Sequence, residues 1–123
     1  IYKLYMAKNP LSKRKQRRLL RERYRLLEEM CRLSPLIRGS YFERYSTCSR
    51  SGCRCHEGKR HGPRGYVAVT QEGAQRQHYV PQSQRDAVRR GVRHYHRLFE
   101  IVDRLTGIHL ELMRGGLLDE QDS

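Results

Sequence analysis

The run Tyr66-Val67-Ala68-Val69-Thr70-Gln71-Glu72-Gly73-Ala74-Gln75-Arg76-Gln77-His78-Tyr79-Val80 decides the fold class. β-branched and aromatic residues fill four of its first five positions, Ala68 being the exception, and return at Tyr79 and Val80. Between them, Gln71-Glu72-Gly73-Ala74 has the chemistry of a tight loop, and Gly73 supplies the positive φ such a loop often needs. The stretch reads as a β-hairpin with strands over 66–70 and 75–80. Residues 40–46 are ambiguous on their own. Ser40-Tyr41-Phe42-Glu43 fits a capping box for a short helix, whereas Tyr41, Phe42 and Tyr45 suit a strand. The strand is favoured, which makes a small antiparallel sheet.

Helical periodicity holds on both sides of that sheet. Over 11–33, steps of 100° gather Leu19, Leu20, Tyr24, Leu26, Leu27, Met30, Cys31 and Leu33 on one broad arc, interrupted only by Arg23. Ser34-Pro35 ends that helix, because the residue before proline resists the α region. Pro81 opens a second helix over 82–114, with Ser83 as its cap. Its apolar residues form two adjoining stripes, Val88, Val92, Tyr95, Phe99 and Val102, and Leu98, Ile101, Leu105, Ile108 and Leu112. Together they exceed the ~100° that one packing partner covers, so the helix is expected to meet two partners or a second copy of itself. Gly115-Gly116 stops it. The expected organisation is α+β: a lead segment over 1–10, a single domain over 11–114 with its knuckle and small sheet over 38–80, and a flexible tail over 115–123.

The connection ahead of the hairpin carries the most distinctive chemistry, Cys48-x4-Cys53-x-Cys55-His56-x4-His61-Gly62-Pro63. Zinc takes four thiolate or imidazole ligands in a tetrahedron, and spacing this short lets one loop wrap the ion. The expected cofactor is a structural Zn2+ held by Cys48, Cys53, Cys55 and His61, with His56 as the substitute ligand. Reduced surface thiols and disulfides are the competing readings. Cys31, on the apolar arc, reads as a core residue.

These residues also carry a resemblance. The run Gly39-Ser40-Tyr41-Phe42-Glu43-Arg44-Tyr45, then Cys48, Cys53-Arg54-Cys55 and His61-Gly62-Pro63, resembles a family of small bacterial proteins that has only an unknown-function domain name. The likeness runs from about residue 19 to residue 114 and implies helix, Cys-rich knuckle, short strands and helix. It also implies a mobile-element setting, because such proteins are often encoded near transposases. The chain departs from the pattern after Pro63, where Arg64-Gly65 precedes a single Tyr66, and its basic stretch over 13–25 is richer than usual.

Charge points to the partner. Lys and Arg number 26 against 13 Asp and Glu, a formal net charge of +13 on 123 residues. A chain this basic repels itself unless a polyanion offsets the charge, and nucleic acid is the expected one. Three surfaces are candidates: Lys13, Arg14, Lys15, Arg17, Arg18, Arg21 and Arg25 on the first helix; Arg50, Arg54, Lys59, Arg60 and Arg64 in and after the knuckle; and Arg89 and Arg93 on the last helix, with Arg85, Arg90 and Arg97 near them. Tyr41, Tyr45, Tyr66 and Tyr79 are candidates for stacking on exposed bases. A larger protein partner, or self-association through the C-terminal helix, is also expected.

Other classes recede. No run approaches ~18 apolar residues, so no membrane span is expected. Lys3, Lys8 and Asn9 stand where a secretory leader would be apolar, and reduced cysteines point to the cytoplasm. No Ser/His/Asp set, phosphate loop or carboxylate cluster appears, so no enzyme is expected. His94-Tyr95-His96 evokes the metal pair of a single-strand transposase-like nuclease, but a helix sets i and i+2 about 200° apart, which leaves that activity a remote alternative. The expectation is a zinc-stabilised nucleic-acid-binding accessory protein, with a helical protein–protein adaptor as the alternative.

Overall fold

The computed structural model describes residues 11–46, 52–54, 58 and 61–119, and for His61 only its place in a strand. Helix α1 (Lys13–Cys31) is followed by strands β1 (Gly39–Ser46), β2 (His61–Gln71) and β3 (Ala74–Val80), then helix α2 (Arg85–Arg114). The architecture is α+β: along the chain, one long helix precedes and another follows a three-stranded antiparallel sheet. The backbone divides into two compact units. One contains α1 and the part of α2 from Arg97 onward; the other runs Leu33–His96 and holds the sheet with the first part of α2.

In the first unit each helix has a definite end. The Ser12 hydroxyl accepts the Lys15 N–H at 3.2 Å, so α1 starts two residues later than expected. α2 ends in a Schellman motif, with the Leu117 N–H on Leu112 O at 2.8 Å and the Gly116 N–H on Met113 O at 3.0 Å. Leu19, Arg23 and Leu26 are the buried residues of α1, and Ile101, Leu105, Ile108 and Leu112 line the buried side of α2. Both sets recur in steps of four and three, the spacing that keeps one seam facing a partner helix. Three ion pairs fix the direction and register of this pairing: Lys15–Glu111 at 3.3 Å, Glu22–Arg104 at 2.7 Å and Glu29–Arg97 at 2.5 Å. Each step of seven residues along α1 is matched by seven back along α2, so the helices run antiparallel.

The apolar arc of α1 is narrower than its periodicity suggests. Tyr24 is 62% exposed and Leu27 is at the surface. Cys31, expected in the core, is exposed. Arg23, expected to interrupt the arc, is buried between Leu19 and Leu26, since an arginine's long stem can lie along an apolar seam.

In the second unit the sheet order is β1-β2-β3. The hairpin forms as expected, and both residues of its two-residue turn have positive φ, Glu72 at 52° and Gly73 at 79°. That pair of angles belongs to turns whose twist matches the flanking strands. β1 is a strand, so the capping-box alternative falls. β2 starts five residues earlier than expected. Arg44 pairs with Arg64 and Ser46 with His61, so two residues of β2, Gly62 and Pro63, face one residue of β1. Such a bulge accommodates a proline, which has no N–H for the ladder. After β3, Gln82–Gln84 make a single 3-10 turn, and α2 begins at Arg85 rather than at a Ser83 cap.

Candidate nucleic-acid interface

The N-terminal half of α1 is an open cationic surface. Lys13, Arg14, Arg17, Arg18, Arg21 and Arg25 are all exposed. Arg14, Arg18, Arg21 and Arg25 recur at four, three and four residues, so they form one stripe along the helix. All three glutamates of α1 are engaged elsewhere. Glu28 pairs with Arg32. Glu22 and Glu29 receive two hydrogen bonds each, from Arg104 at 2.7 and 2.7 Å and from Arg97 at 2.5 and 2.8 Å. The bonds from Arg104 and from Arg97 hold the Glu22 and Glu29 carboxyls below the usual range, against the opposing effect of burial. Among the described residues, no carboxylate pairs with Arg14, Arg17, Arg18, Arg21 or Arg25. Arg18, Arg21 and Arg25, with Glu22, line an open hollow of about 420 Å³. Lys15, expected in the same surface, is tied to Glu111.

The sheet has two unlike faces, because strand residues alternate sides. One face meets the start of α2. Val67, Val80 and Gly65 are buried there. The Arg89 guanidinium lies 4.7 Å from the centroid of the Tyr41 ring and donates to Glu43 at 2.5 Å. The Tyr41 hydroxyl donates to the same carboxylate at 2.8 Å, and burial followed by that bond raises its pKa. Tyr41 and Arg89, both expected to touch nucleic acid, are thus engaged with each other inside this unit.

The opposite face is open. Phe42 pairs with Tyr66 and Tyr66 with Tyr79 in the strand register, so one aromatic ring from each strand forms a row across the sheet. Phe42 and Tyr66 stack with centroids 5.6 Å apart, and Tyr79 meets Tyr66 edge-on at 6.0 Å. Tyr79 is 57% exposed. The Arg44 guanidinium lies 5.2 Å from the Phe42 centroid and 5.3 Å from that of Tyr66. It reaches across the row to donate to Gln77 Oε1 at 3.3 Å. Arg64 is exposed on the same face. Sequence reasoning named Tyr66, Tyr79 and Arg64 but missed Phe42, Arg44 and Gln77. The available signal was parity: in a two-residue hairpin with a third strand in register, 42, 44, 66, 77 and 79 fall on one side.

The remaining expected residues are scattered. Arg54 and Arg93 are exposed, while Arg50, Lys59 and Arg60 lie outside the described residues. Of the expected zinc ligands, Cys53 is half-buried; Cys48, Cys55, the alternative His56 and the His61 side chain lie outside the described residues. Among the described residues, no group of three or more His, Cys, Asp or Glu is placed to hold a metal ion. His94 Nδ1 lies 2.8 Å from the Pro35 carbonyl oxygen, which can only accept, so that nitrogen carries the proton. No helix among the described residues is long and apolar enough to cross a membrane.

These elements define a small α+β protein with a helical hairpin unit, a three-stranded sheet unit and a strongly cationic surface. The chain belongs to the family described as Domain of unknown function (DUF6788), whose model matches residues 12–90. The match takes in α1 and the whole sheet and ends within α2. Comparison with curated proteins and with solved structures returned no match.

Proposed function

We propose that this protein is a non-catalytic, zinc-stabilised accessory factor that binds nucleic acid in a bacterial mobile-element or ribonucleoprotein machine in the cytoplasm. One observation carries the reading: Arg14, Arg18, Arg21 and Arg25 form an exposed stripe while every glutamate of α1 is neutralised by another residue. Among the described residues no carboxylate is ion-paired with the stripe, and its nearest acid, Glu22, is bonded to Arg104, so phosphates would meet arginines whose donors are free and would displace solvent ions from them. The mobile-element setting follows from the family resemblance. The zinc follows from the three thiols and two imidazoles between Ser46 and Gly62.

Binding measured against salt concentration tests this. The affinity should fall with a slope near −0.9 per neutralised phosphate on duplex and near −0.7 on single strands. Replacing Arg14, Arg18, Arg21 and Arg25 together with Gln should flatten the slope by about three units and weaken all sequences alike. An unchanged slope would remove α1 from the interface. Wild-type protein that binds neither DNA nor RNA at low salt would overturn the reading.

A second reading, a helical adaptor docking on a larger protein, draws on α2. Phe99, Val102, Leu110 and Met113 form an apolar stripe, each between 43% and 57% exposed. Co-purification with a protein partner, without nucleic-acid affinity, would favour it.

A further inference from the structure

We propose that the open face of the sheet is a stacking platform for single-stranded nucleic acid, an inference that rests on the nucleic-acid reading above and assigns it a substrate class. The physical problem is the aromatic row itself. Tyr66 supplies the middle ring, with Phe42 stacked on one side and Tyr79 edge-on at the other. A row of rings on a solvent face gains only part of the burial available to it, and β3 buries Val80 alone. Nucleobases would complete that burial, because every base offers a π-face whatever its identity.

Charge on this face fits the same occupant. Its residues are Ser40, Phe42 and Arg44 of β1, Arg64, Tyr66, Ala68 and Thr70 of β2, and Gln75, Gln77 and Tyr79 of β3, by their register. Two are arginines and none is acidic. Arg44 is held by an amide, and among the described residues no carboxylate pairs with it. Its guanidinium carbon lies within 5.3 Å of two ring centroids, and an arginine among aromatic rings can itself stack on a base, as arginine does in RNA recognition. Arg64, one strand over, is placed for the phosphate that follows.

A base inside a duplex is already stacked and cannot reach such a row. The platform therefore selects single strands, loops or ends, and reads little sequence. The arginine stripe of α1 makes no such distinction, which separates the two surfaces by experiment.

The test uses the full chain and fluorescence anisotropy with a labelled oligo-dT, a labelled oligo-U and a labelled duplex of equal length. Phe42→Leu and Tyr79→Leu keep apolar bulk on a strand while removing the ring; Tyr79→Phe keeps the ring and removes the hydroxyl. Each leucine variant should weaken single-strand binding by ~5- to ~150-fold, the range for one lost base–aromatic stack. Duplex binding should change less than about twofold, and Tyr79→Phe should bind as wild type. Equal melting of Tyr79→Leu and wild type by circular dichroism shows that the sheet is intact. If the leucine variants lose duplex and single-strand affinity equally, or lose neither, the platform is overturned while the nucleic-acid reading stands. If wild type binds none of the three oligonucleotides, both fall. Binding that depends on Tyr79 but is directed only at a protein partner would also overturn the proposal.

Discussion

Gly91 sits where Ile37 approaches α2, and a Cβ built there would lie 2.9 Å from both Cδ1 and Cγ1 of Ile37. The Ile37 N–H also donates to the Gly91 carbonyl at 3.0 Å, so the two backbones are held close. At Gly107, in the same helix, the one atom among the described residues within 4 Å of such a Cβ is Arg104 Nη1, at 3.9 Å. Alanine should therefore act with opposite sign at the two positions. At Gly107 it should stabilise by about 0.5–1 kcal/mol through helix propensity. At Gly91 the same gain is outweighed by overpacking of about 1–3 kcal/mol, so Gly91→Ala should lower stability. Paired thermal melts of the two variants check the signs. Phe42 and Arg44 belong to this scale as well. β1 carries a tyrosine at 41 and a phenylalanine at 42, so both faces of the strand looked aromatic. Only the packing of Arg85 and Arg89 on the Tyr41 side settles which face stays open.

The helical hairpin is held by its seam and by the three matched ion pairs, and those pairs give it an acid limit. The hydrogen bonds from Arg104 and Arg97 depress the Glu22 and Glu29 carboxyls in the folded state. A depressed carboxyl contributes stability above its unfolded pKa of about 4.3, and the contribution is lost as pH falls through the lower folded value. Helix melting should be nearly constant from about pH 7 to about pH 5 and then drop by on the order of a few degrees towards about pH 3. The combined Glu22→Gln and Glu29→Gln variant should melt lower at neutral pH and show a smaller acid drop. The effect stays modest because the pairs are partly exposed and screened by solvent. Helices, strands and the hairpin turn were legible in the sequence, since periodicity and turn chemistry are local. The ladder was not, although Glu22, Glu29, Arg97 and Arg104 stand seven apart in their helices. Which charges meet depends on the direction and register of two helices far apart in the chain, and single-helix periodicity carries neither.

Across the molecule, the metal expectation falls on the connection between β1 and β2. Ser46 pairs with His61, so the chain between them leaves β1 and rejoins the sheet at β2 with Cys48, Cys53, Cys55 and His56 in its sequence. Connections of this length between paired strands are uncommon without a staple, and closing one with a metal offsets its loop entropy. The purified protein should carry about one zinc per chain by elemental analysis. Cys53→Ser should lose it, whereas Cys31→Ser, at an exposed site on α1, should retain it. Equal zinc content in the two variants, or none in wild type, would end the metal reading. The cysteine spacing suggests metal chemistry without fixing any ligand geometry, because spacing alone does not say how the backbone between the thiols runs. The ladder of the hairpin has a further consequence for how such a chain can change in length. Its two helices act as a matched pair of rulers graduated in sevens. Losing one graduation from each, between Lys15 and Glu29 and between Arg97 and Glu111, would bring the outer pairs back face to face. Losing it from one arm alone would offset them by about 10 Å, beyond the reach of any ion pair. Insertions and deletions here thus keep the outer pairs matched only as coincident events at two places in the chain separated by the entire sheet.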